Sequence, residues 1–314
     1  MGSVNPHRTI TSSIAIIGAG IGGLALAIGL LKSAPNIKCT VYEAAPRFDA
    51  VGAGIGLGPN ALKAMSLMDP QFAALYDAIK VGNTNPSRVH EQIEILGAEE
   101  GFGADRGWAG GSVGHEKFVR SSAHRKALLE IMKGLIPQGT VVFNKKLVEV
   151  DQKCAGRVTL RFEDGESVRV DAVIGCDGIK GMTRRVVLES RYPGEVPAKY
   201  CGEYVYRGIT SMENAKAVLG TYAEDAKWFM IEGGGWAMYP ISEGREVNIV
   251  AFIQDTKPWE GEQAVRETTR AEMEREFARF DHRLRKMLDV SLATKTKRLI
   301  QSKFADSKCS MLSR

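Results

Sequence analysis

A glycine-rich turn near the start of the chain constrains the fold more than any other feature. Ser13–Ile17 predicts a short buried strand, Gly18–Gly23 contains the spacing GxGxxG, and Leu24–Leu31 predicts an apolar helix. A second predicted strand, Lys38–Tyr42, ends at Glu43, twenty residues after the last glycine of the turn. A lone GxGxxG is weak evidence, but the flanking strand and helix and the acid at this distance together predict a Rossmann-type dinucleotide site.

Each residue of this predicted site has a physical role. Gly18 permits the tight turn, Gly20 lets a pyrophosphate approach the backbone, and Gly23 lets helix and strand pack closely. The helix N-terminus offers N–H groups and a positive dipole end to the phosphates. Glu43 would accept hydrogen bonds from ribose hydroxyls, which favours FAD or NAD over a 2′-phosphorylated nucleotide. The alternative is a glycine-rich turn that binds no ligand.

The same stretch is long and apolar enough to require a comparison with membrane segments. Residues 14–31 contain no polar side chain, a length that nominally suits a transmembrane helix. Arg8 before this run also resembles the start of a signal peptide. The glycines at dinucleotide spacing argue against both interpretations, so we expect no membrane span and a cytoplasmic protein.

The charge of the chain is concentrated at its end. Residues 295–314 hold six basic side chains and one acidic side chain, which equals the net charge of +5 of all 314 residues. The preceding residues are therefore neutral, and we expect no nucleic-acid binding and a solvated basic tail. Five cysteines and five histidines show no metal-ligand spacing, so the sequence predicts no metal site.

Further along, glycine-rich turns give way to alternating strands. Val51–Ala61 holds four alternating glycines, which we expect to run close beside a ligand rather than form a regular strand. Asp171–Gly178, DAVIGCDG, predicts a buried strand that ends in a turn. The other predicted elements are a strand at 89–96, a helix from 124, antiparallel strands at 140–150, 157–162 and 167–170 with a turn at Asp164–Gly165, strands at 202–209, 226–232, 235–241 and 246–253, and helices at 264–280 and 282–290.

With these motifs placed, the chain resembles the flavin-dependent aromatic hydroxylases, specifically the salicylate-hydroxylase-like monooxygenases. The resemblance covers about residues 12–290 and rests on four motifs in order: GAGIGGLALAIGL with Glu43, VGAGIGLGPNALKAM, AHRKALLEIM and DAVIGCDGIKGMTRR. It implies a mixed α/β (α+β) fold, in which a Rossmann-like FAD-binding domain is interleaved with a β-sheet substrate domain. We expect the FAD-binding domain over 1–85 and 105–190, the substrate domain over 86–104 and 191–290, and an atypical basic tail over 291–314.

The resemblance also implies which residues bind the cofactor. Gly18, Gly20, Gly23 and Glu43 would hold the adenosine and pyrophosphate of FAD. Gly54 and Gly56 would lie along the flavin, Arg125 would reach the cofactor from its helix, and Asp177 would lie near the pyrophosphate and the path of the nicotinamide cofactor. The alternatives are a surface helix arginine and a plain turn aspartate.

The reaction implied by the resemblance has two parts. NAD(P)H reduces FAD, and O2 then forms a flavin C4a-hydroperoxide that hydroxylates an electron-rich phenolic or polyketide aromatic ring. The cofactor performs the difficult chemistry, while the protein orients the substrate and excludes water. Because a phenolate is a better nucleophile than a phenol, the site should stabilise negative charge on the substrate oxygen.

Two residues suit that requirement. Arg207 shares a predicted strand face with apolar Val205 and Ile209, and a buried charge on such a face needs an anionic partner. Tyr239 shares its predicted face with Ala237 and Ile241 and would donate to the same substrate oxygen. Both match catalytic positions of the resembled family. The alternative is an Arg–Glu sheet pair and a core tyrosine.

The resemblance stops at the end of the chain. The family's Gly-Asp-Ala-Ala-His motif, whose aspartate binds the flavin ribityl chain, has no counterpart after Asp289. We therefore expect a C-terminally truncated member, and the alternative function is a non-catalytic remnant that binds a nucleotide or a partner without turnover. An NAD-dependent dehydrogenase would use the first motif but would leave the second glycine-rich segment and DAVIGCDG unexplained.

Overall fold

The computed structural model describes residues 12–48, 54–152, 156–257, 265–292 and 299–306. The chain forms two compact units. Unit 1 comprises residues 1–51, 63–76 and 128–198, and unit 2 comprises residues 52–62, 77–127 and 199–314. The chain thus passes repeatedly between the units, in keeping with an interleaved arrangement. The strand-rich unit 2 includes residues 52–62, 77–85 and 105–127, which the sequence placed in an FAD-binding domain, and unit 1 includes residues 191–198, which it placed in a substrate domain. The assignment of FAD and substrate to particular domains stays a prediction.

The elements alternate helix and strand first and then become strand-rich. The strands are β1 (Ser12–Ile17), β2 (Ile37–Tyr42), β3 (Gly54–Gly56), β4 (Glu91–Gly97), β5 (Gly111–Gly114), β6 (Ser122–His124), β7 (Val141–Val142), β8 (Leu147–Asp151), β9 (Val158–Phe162), β10 (Ser167–Val170), β11 (Ala172–Gly175), β12 (Lys199–Ser211), β13 (Lys227–Ile231), β14 (Gly234–Ile241), β15 (Glu246–Gln254), β16 (Val265–Thr268) and β17 (Leu299–Asp306). The helices are α1 (Ile21–Ser33), α2 (Pro59–Met68), α3 (Pro70–Asp77), α4 (Arg125–Gly134), α5 (Met182–Leu188), α6 (Met212–Leu219), α7 (Arg270–Glu276) and α8 (His282–Leu292). The mixed α/β class is confirmed.

Unit 1 contains a parallel sheet in the order β11-β1-β2-β7. Its inner strand β1 is apolar from Ile14 to Ile17, as expected of a strand that is paired on both sides, and Ile16 lies opposite Val41 and Ile174. Because β1 and β11 are parallel neighbours, their carboxyl ends lie at the same edge of the sheet. This arrangement places the first glycine turn beside the turn that follows DAVIGC.

A second sheet of unit 1, in the order β10-β9-β8, packs its apolar side against the first. Leu160 and Phe162 of β9 join Ala15 and Ile17 of β1 in one buried cluster. The hairpin between β9 and β10 turns at Gly165, whose φ of +86° favours glycine. This is the antiparallel hairpin that the sequence predicts.

Unit 2 is built on an eight-stranded sheet in the order β16-β17-β12-β15-β14-β13-β4-β5. One face of this sheet packs against α6, α7 and α8 in a single core. The sheet contributes Tyr204, Tyr206, Phe229, Trp236, Met238, Val247, Ile249 and Ala251 to this core. Because side chains alternate along a strand, the residues between these belong to the opposite face.

The structure corrects three predictions. Val265–Thr268 is strand β16, not the beginning of a helix over 264–280, because Thr269 and Glu272 form a capping box that starts α7 only at Arg270. Gly54–Gly56 is a regular strand, since it pairs with β6. Within the predicted basic tail, Leu299–Asp306 forms β17 and pairs with β12, so this part is not a simple solvated end.

The apolar stretch 14–31 is divided between β1 and α1. Helix α1 has 13 residues and spans about 20 Å, short of a bilayer core. Over the described ranges, no helix combines the length and apolar character needed to cross a membrane.

Candidate functional site

Unit 1 contains a cleft of about 430 Å³ at the end of β1. It is lined by residues from four segments that are far apart in sequence: Gly18 and Gly20, Tyr42 and Glu43, Lys145 to Leu147, and Cys176 to Met182 apart from Ile179. This volume lies in the range of small-molecule sites. The structure therefore brings Gly18, Gly20, Glu43 and Asp177, four predicted cofactor residues, to one concave surface.

The three glycines of the turn have different surroundings. Gly18 has a φ of +102°, and a Cβ there would overlap the carbonyl of Cys176. A Cβ on Gly23 would overlap the carbonyl of Gly18, so this glycine permits close packing of α1 on β1. Gly20 precedes α1, and a Cβ there would meet nothing within 4 Å. Of these three, Gly20 is the one that faces open space, which leaves room for a ligand group to approach the backbone.

The Glu43 carboxylate is fixed by two backbone groups. Its Oε2 accepts the Ala19 N–H at 2.7 Å, and its Oε1 accepts the Ala45 N–H at 2.8 Å. Each carboxylate oxygen can accept a further hydrogen bond. Glu43 therefore supports the glycine turn and keeps acceptor capacity for the ribose hydroxyls of a nucleotide.

Asp177 has a structural role that the sequence offered only as an alternative. Its carboxylate accepts hydrogen bonds from the Thr183 N–H, at 3.1 Å, and from the Thr183 hydroxyl. It thereby caps the first turn of α5. Arg184 and Arg185 lie within this helix. The cofactor contact of Asp177 stays a prediction.

In unit 2, strand pairing unites the other predicted cofactor residues. Gly54 pairs with His124, and Gly56 pairs with Ser122, across β3 and β6. Arg125, half-buried, follows directly as the first residue of α4. The first residues of the glycine-rich motif, 51–53, lie outside the described residues.

The two predicted catalytic residues lie on the same face of the unit 2 sheet. Tyr239 on β14 is opposite Asn248 on β15, which is opposite Ile209 on β12. In the next row of that face, Ala237 is opposite Val250, which is opposite Arg207. This is the face away from the α6–α8 core, and we call it the Arg207/Tyr239 face. The sheet thus brings together two residues that the sequence separates by 32 positions.

Burial differs between the two residues. Arg207 is exposed, so the sequence argument that a buried charge demands an anionic partner is wrong for this residue. Its proposed substrate contact rests instead on its place on the Arg207/Tyr239 face. Tyr239 is partly buried, and this burial raises the pKa of its hydroxyl, while the nearby guanidinium groups of Arg120 and Arg207 oppose the increase.

Three residues with polar groups on or beside the Arg207/Tyr239 face were missed by the sequence analysis: Arg120, Asn248 and Trp228. The Arg120 guanidinium lies 5.0 Å from the centre of the Tyr239 ring. Asn248 is buried and accepts the Gly54 N–H at 2.9 Å. The Asn248 Nδ2 and Trp228 Nε1 atoms are buried donors without a partner among the described residues. The Arg207/Tyr239 face is therefore rich in hydrogen-bond donors, which suits a substrate with oxygen acceptors.

One cluster of metal-ligand residue types also forms within unit 2. Atoms of Glu100, Asp281 and His282 lie within 4.8 Å of one another. The sequence showed no sign of this cluster, because Glu100 is far along the chain from Asp281 and His282. The Asp281 carboxylate accepts a hydrogen bond from the Arg283 guanidinium at 2.9 Å. The His282 ring is hydrogen-bonded to the Glu100 carboxylate. These contacts describe an ion-paired cluster that links the start of α8 to the segment after β4.

The chain is similar in sequence to known proteins over most of its length. It is 36% identical over 284 residues to an FAD-dependent monooxygenase of Gibberella moniliformis, covering 88% of this chain and 64% of that protein. It is 33% identical over 252 residues to a 6-methylsalicylate 1-monooxygenase of Aspergillus terreus, covering 79% and 55% of the two chains. The chain is a relative of the FAD-dependent monooxygenases of the salicylate hydroxylase type. This confirms the resemblance found from the motifs.

The structural comparison agrees with this FAD-dependent monooxygenase relationship. A salicylate hydroxylase in complex with its substrate superposes with a TM-score of 0.74 at 26% identity, covering 94% of this chain and 68% of that chain. No family model matches the sequence. The chain spans about 64% of the length of the Gibberella monooxygenase, so its own activity and substrate remain matters for proposal.

Proposed function

We propose that this chain binds FAD and hydroxylates a phenolic aromatic substrate with NAD(P)H and O2. In the overall reaction, one oxygen atom replaces a ring hydrogen as a hydroxyl group, and the other leaves as water as NAD(P)H is oxidised. Bound FAD would supply electron transfer from NAD(P)H and oxygen activation. The observation that carries the proposal is the presence of Arg207 and Tyr239 on one donor-rich sheet face of a salicylate hydroxylase relative.

The cleft of unit 1 fits the adenosine and pyrophosphate part of FAD. Gly20 leaves open space at the N-terminus of α1, where backbone N–H groups favour a pyrophosphate. Glu43 keeps acceptor capacity for ribose hydroxyls. In this proposal Gly54, Gly56 and Arg125 contact the flavin, and Asp177 lies near the pyrophosphate and nicotinamide path.

The Arg207/Tyr239 face would hold the aromatic substrate. The Arg207 guanidinium and the Tyr239 hydroxyl both donate hydrogen bonds, and both would stabilise a phenolate oxygen. A phenolate pushes electron density into the ring, which favours attack by the ring on an electrophilic oxygen. The protein residues thus orient the substrate and maintain its reactive ionisation state.

Three free cysteines, Cys39, Cys176 and Cys201, lie in the described part of the chain. Free thiols suit a reducing compartment, so we keep the cytoplasm as the proposed location. The relatives' names give oxidoreductase and flavoprotein character, whereas the choice between NADH and NADPH belongs to this proposal.

The test begins with the purified chain and FAD. The visible spectrum should show two flavin bands that bleach with NAD(P)H, and 6-methylsalicylate and salicylate should be tried first as substrates. Glu43→Ala should weaken FAD binding, whereas Tyr239→Phe should spare it and reduce hydroxylation. A chain that takes up no FAD contradicts the proposal. FAD binding without any hydroxylated product from a panel of phenols would favour the non-catalytic alternative.

A further inference from the structure

Arg120 lies against the proposed catalytic tyrosine but belongs to no motif. It is only 7% exposed, and it is followed closely by β6. Its guanidinium carbon is 5.0 Å from the centre of the Tyr239 ring. This distance is within the range in which an arginine and an aromatic ring attract each other.

Two hydrogen bonds fix the position of Arg120 relative to Tyr239. Arg120 Nη1 donates a hydrogen bond to the carbonyl of Gln92 on β4. Two residues later, the Ser122 hydroxyl donates to the carbonyl of Pro240, at 2.8 Å, directly after Tyr239. The segment that carries Arg120 is therefore attached to the same strand that carries the tyrosine.

Among the described residues, few other charged groups lie near this tyrosine. Arg207 approaches from β12, and the residue opposite Tyr239 on β15, Asn248, is uncharged. Glu246, in the adjacent row of the sheet, accepts a hydrogen bond from the Ser242 hydroxyl at 2.6 Å. His124, which is half-buried, lies on β6. Positive charge therefore predominates around the Tyr239 ring.

We propose that Arg120 is a positioning residue whose guanidinium stabilises negative charge on the substrate oxygen that the Tyr239 hydroxyl binds, and on the Tyr239 oxygen itself when that hydroxyl ionises. The inference rests on the proposed function, in which Tyr239 contacts that oxygen. An arginine keeps its charge at every pH of interest. A buried cation acts on a nearby anion through a medium of lower dielectric constant than water, so its effect is strong.

The test measures Tyr239 itself in the chain without FAD or substrate. Tyrosine labelled with ¹³C at Cζ reports the ionisation of each ring by NMR, and the signal missing in Tyr239→Phe identifies Tyr239. Arg120→Met should raise the pKa of Tyr239, because the cation that opposes the effect of burial is gone. Arg207→Met is the matched control on the same face and should raise that pKa less.

Two further variants separate charge from structure. Arg120→Gln keeps a donor for the Gln92 carbonyl but removes the charge, so it should behave as Arg120→Met does. Arg120→Lys keeps the charge and should restore the pKa in part. With FAD and substrate, we expect Arg120→Gln to lower kcat about tenfold, with the FAD Kd unchanged.

The outcomes distinguish this inference from the proposed function. An unchanged Tyr239 pKa in folded Arg120→Met or Arg120→Gln overturns the inference, even if the wild-type chain hydroxylates phenols. A raised pKa in both variants supports it, even if the wild-type chain shows no turnover. If the pKa is raised and the wild-type chain shows no turnover, the electrostatic role of Arg120 is supported and the proposed hydroxylation is wrong.

Discussion

The backbone N–H of Gly54 donates a hydrogen bond to the Asn248 side-chain oxygen at 2.9 Å, across a sequence separation of 194 residues. Asn248 is also the residue opposite Tyr239 in the sheet. A strand predicted to contact the flavin is thus attached to the row of the sheet that carries the predicted catalytic tyrosine. Both belong to unit 2, so this relationship is internal to one compact body.

Gly54→Ala should destabilise unit 2. A Cβ at this position would lie 2.8 Å from Tyr239 Cε2 and 2.9 Å from Asn248 Cβ, so strand β3 would have to shift. Overpacking of this kind costs about 1–3 kcal/mol. Urea denaturation should show the loss. Gly56→Ala is the matched control, because its Cβ would meet nothing closer than 3.8 Å. Equal effects of the two substitutions would contradict the packing argument.

Arg207→Ala should nearly abolish the proposed hydroxylation and leave FAD binding and stability intact. Loss of a charge-assisted contact to the substrate oxygen, which the bound substrate would shield from water, costs about 3 kcal/mol, or roughly a hundredfold in rate. Arg207→Lys should recover little, since an ammonium lacks the planar fork of a guanidinium. Product formation and FAD affinity are to be measured together. Normal turnover by Arg207→Ala would show that the arginine has no catalytic role.

Asp177→Ala should destabilise the start of α5, because Thr183 would lose the carboxylate that accepts its N–H and its hydroxyl. The expected loss is about 1 kcal/mol of folding free energy. Asp177→Asn keeps one side-chain oxygen as an acceptor and should lose less. Chemical denaturation compares the three proteins. If Asp177→Ala keeps full stability but binds FAD weakly, the residue acts on the cofactor alone.

Asp281 should make the stability of unit 2 depend on acid pH. Burial acts to raise the pKa of this carboxyl, but the Arg283 side chain, the Arg283 amide and the Gly101 amide together hold it below the usual value. Its stabilising contribution is therefore present above the unfolded pKa of about 3.9 and is lost as the pH falls through the lower folded pKa.

Asp281→Asn should accordingly lower stability at pH 7, and the difference from wild type should shrink as the pH falls below about 4. Urea denaturation at a series of pH values measures this. Asp289→Asn removes an exposed partner of Arg270 and should change stability little at any pH. A constant difference between wild type and Asp281→Asn across the acid range would refute the role of this ion pair.

Local patterns predicted the first elements of unit 1 well. The run from β1 through Gly18–Gly23 to Glu43 could be predicted because the tight turn, the close helix packing and the hydrogen bond from the turn to Glu43 each require a particular residue type nearby in sequence. The predicted helix start at residue 264 is wrong because the capping box of Thr269 and Glu272 starts α7 at Arg270. Residues 51–53 of the glycine-rich motif lie outside the described residues, so their structure stays a prediction.

The polar surroundings of Tyr239 were less accessible to sequence reasoning. Alternation predicts the face of Arg207 and of Tyr239 within their own strands, but strand order and register depend on long-range pairing. Asn248 did leave a signal, since it interrupts the apolar run Val247–Ile253. Arg120 left none, because it lies in a segment with no periodic pattern.

The division of the unit 2 sheet into a helix-covered face and the Arg207/Tyr239 face has an evolutionary consequence. Along β14 and β15 the side chains alternate between the two faces, so neighbouring positions experience different selective constraints. Ala237 and Val250 can change size and reshape the proposed substrate surface, while Met238 and Ile249 stay fixed by the core. Substrate preference can therefore diverge by single substitutions at alternate positions, whereas a one-residue insertion in either strand would exchange core and site at once.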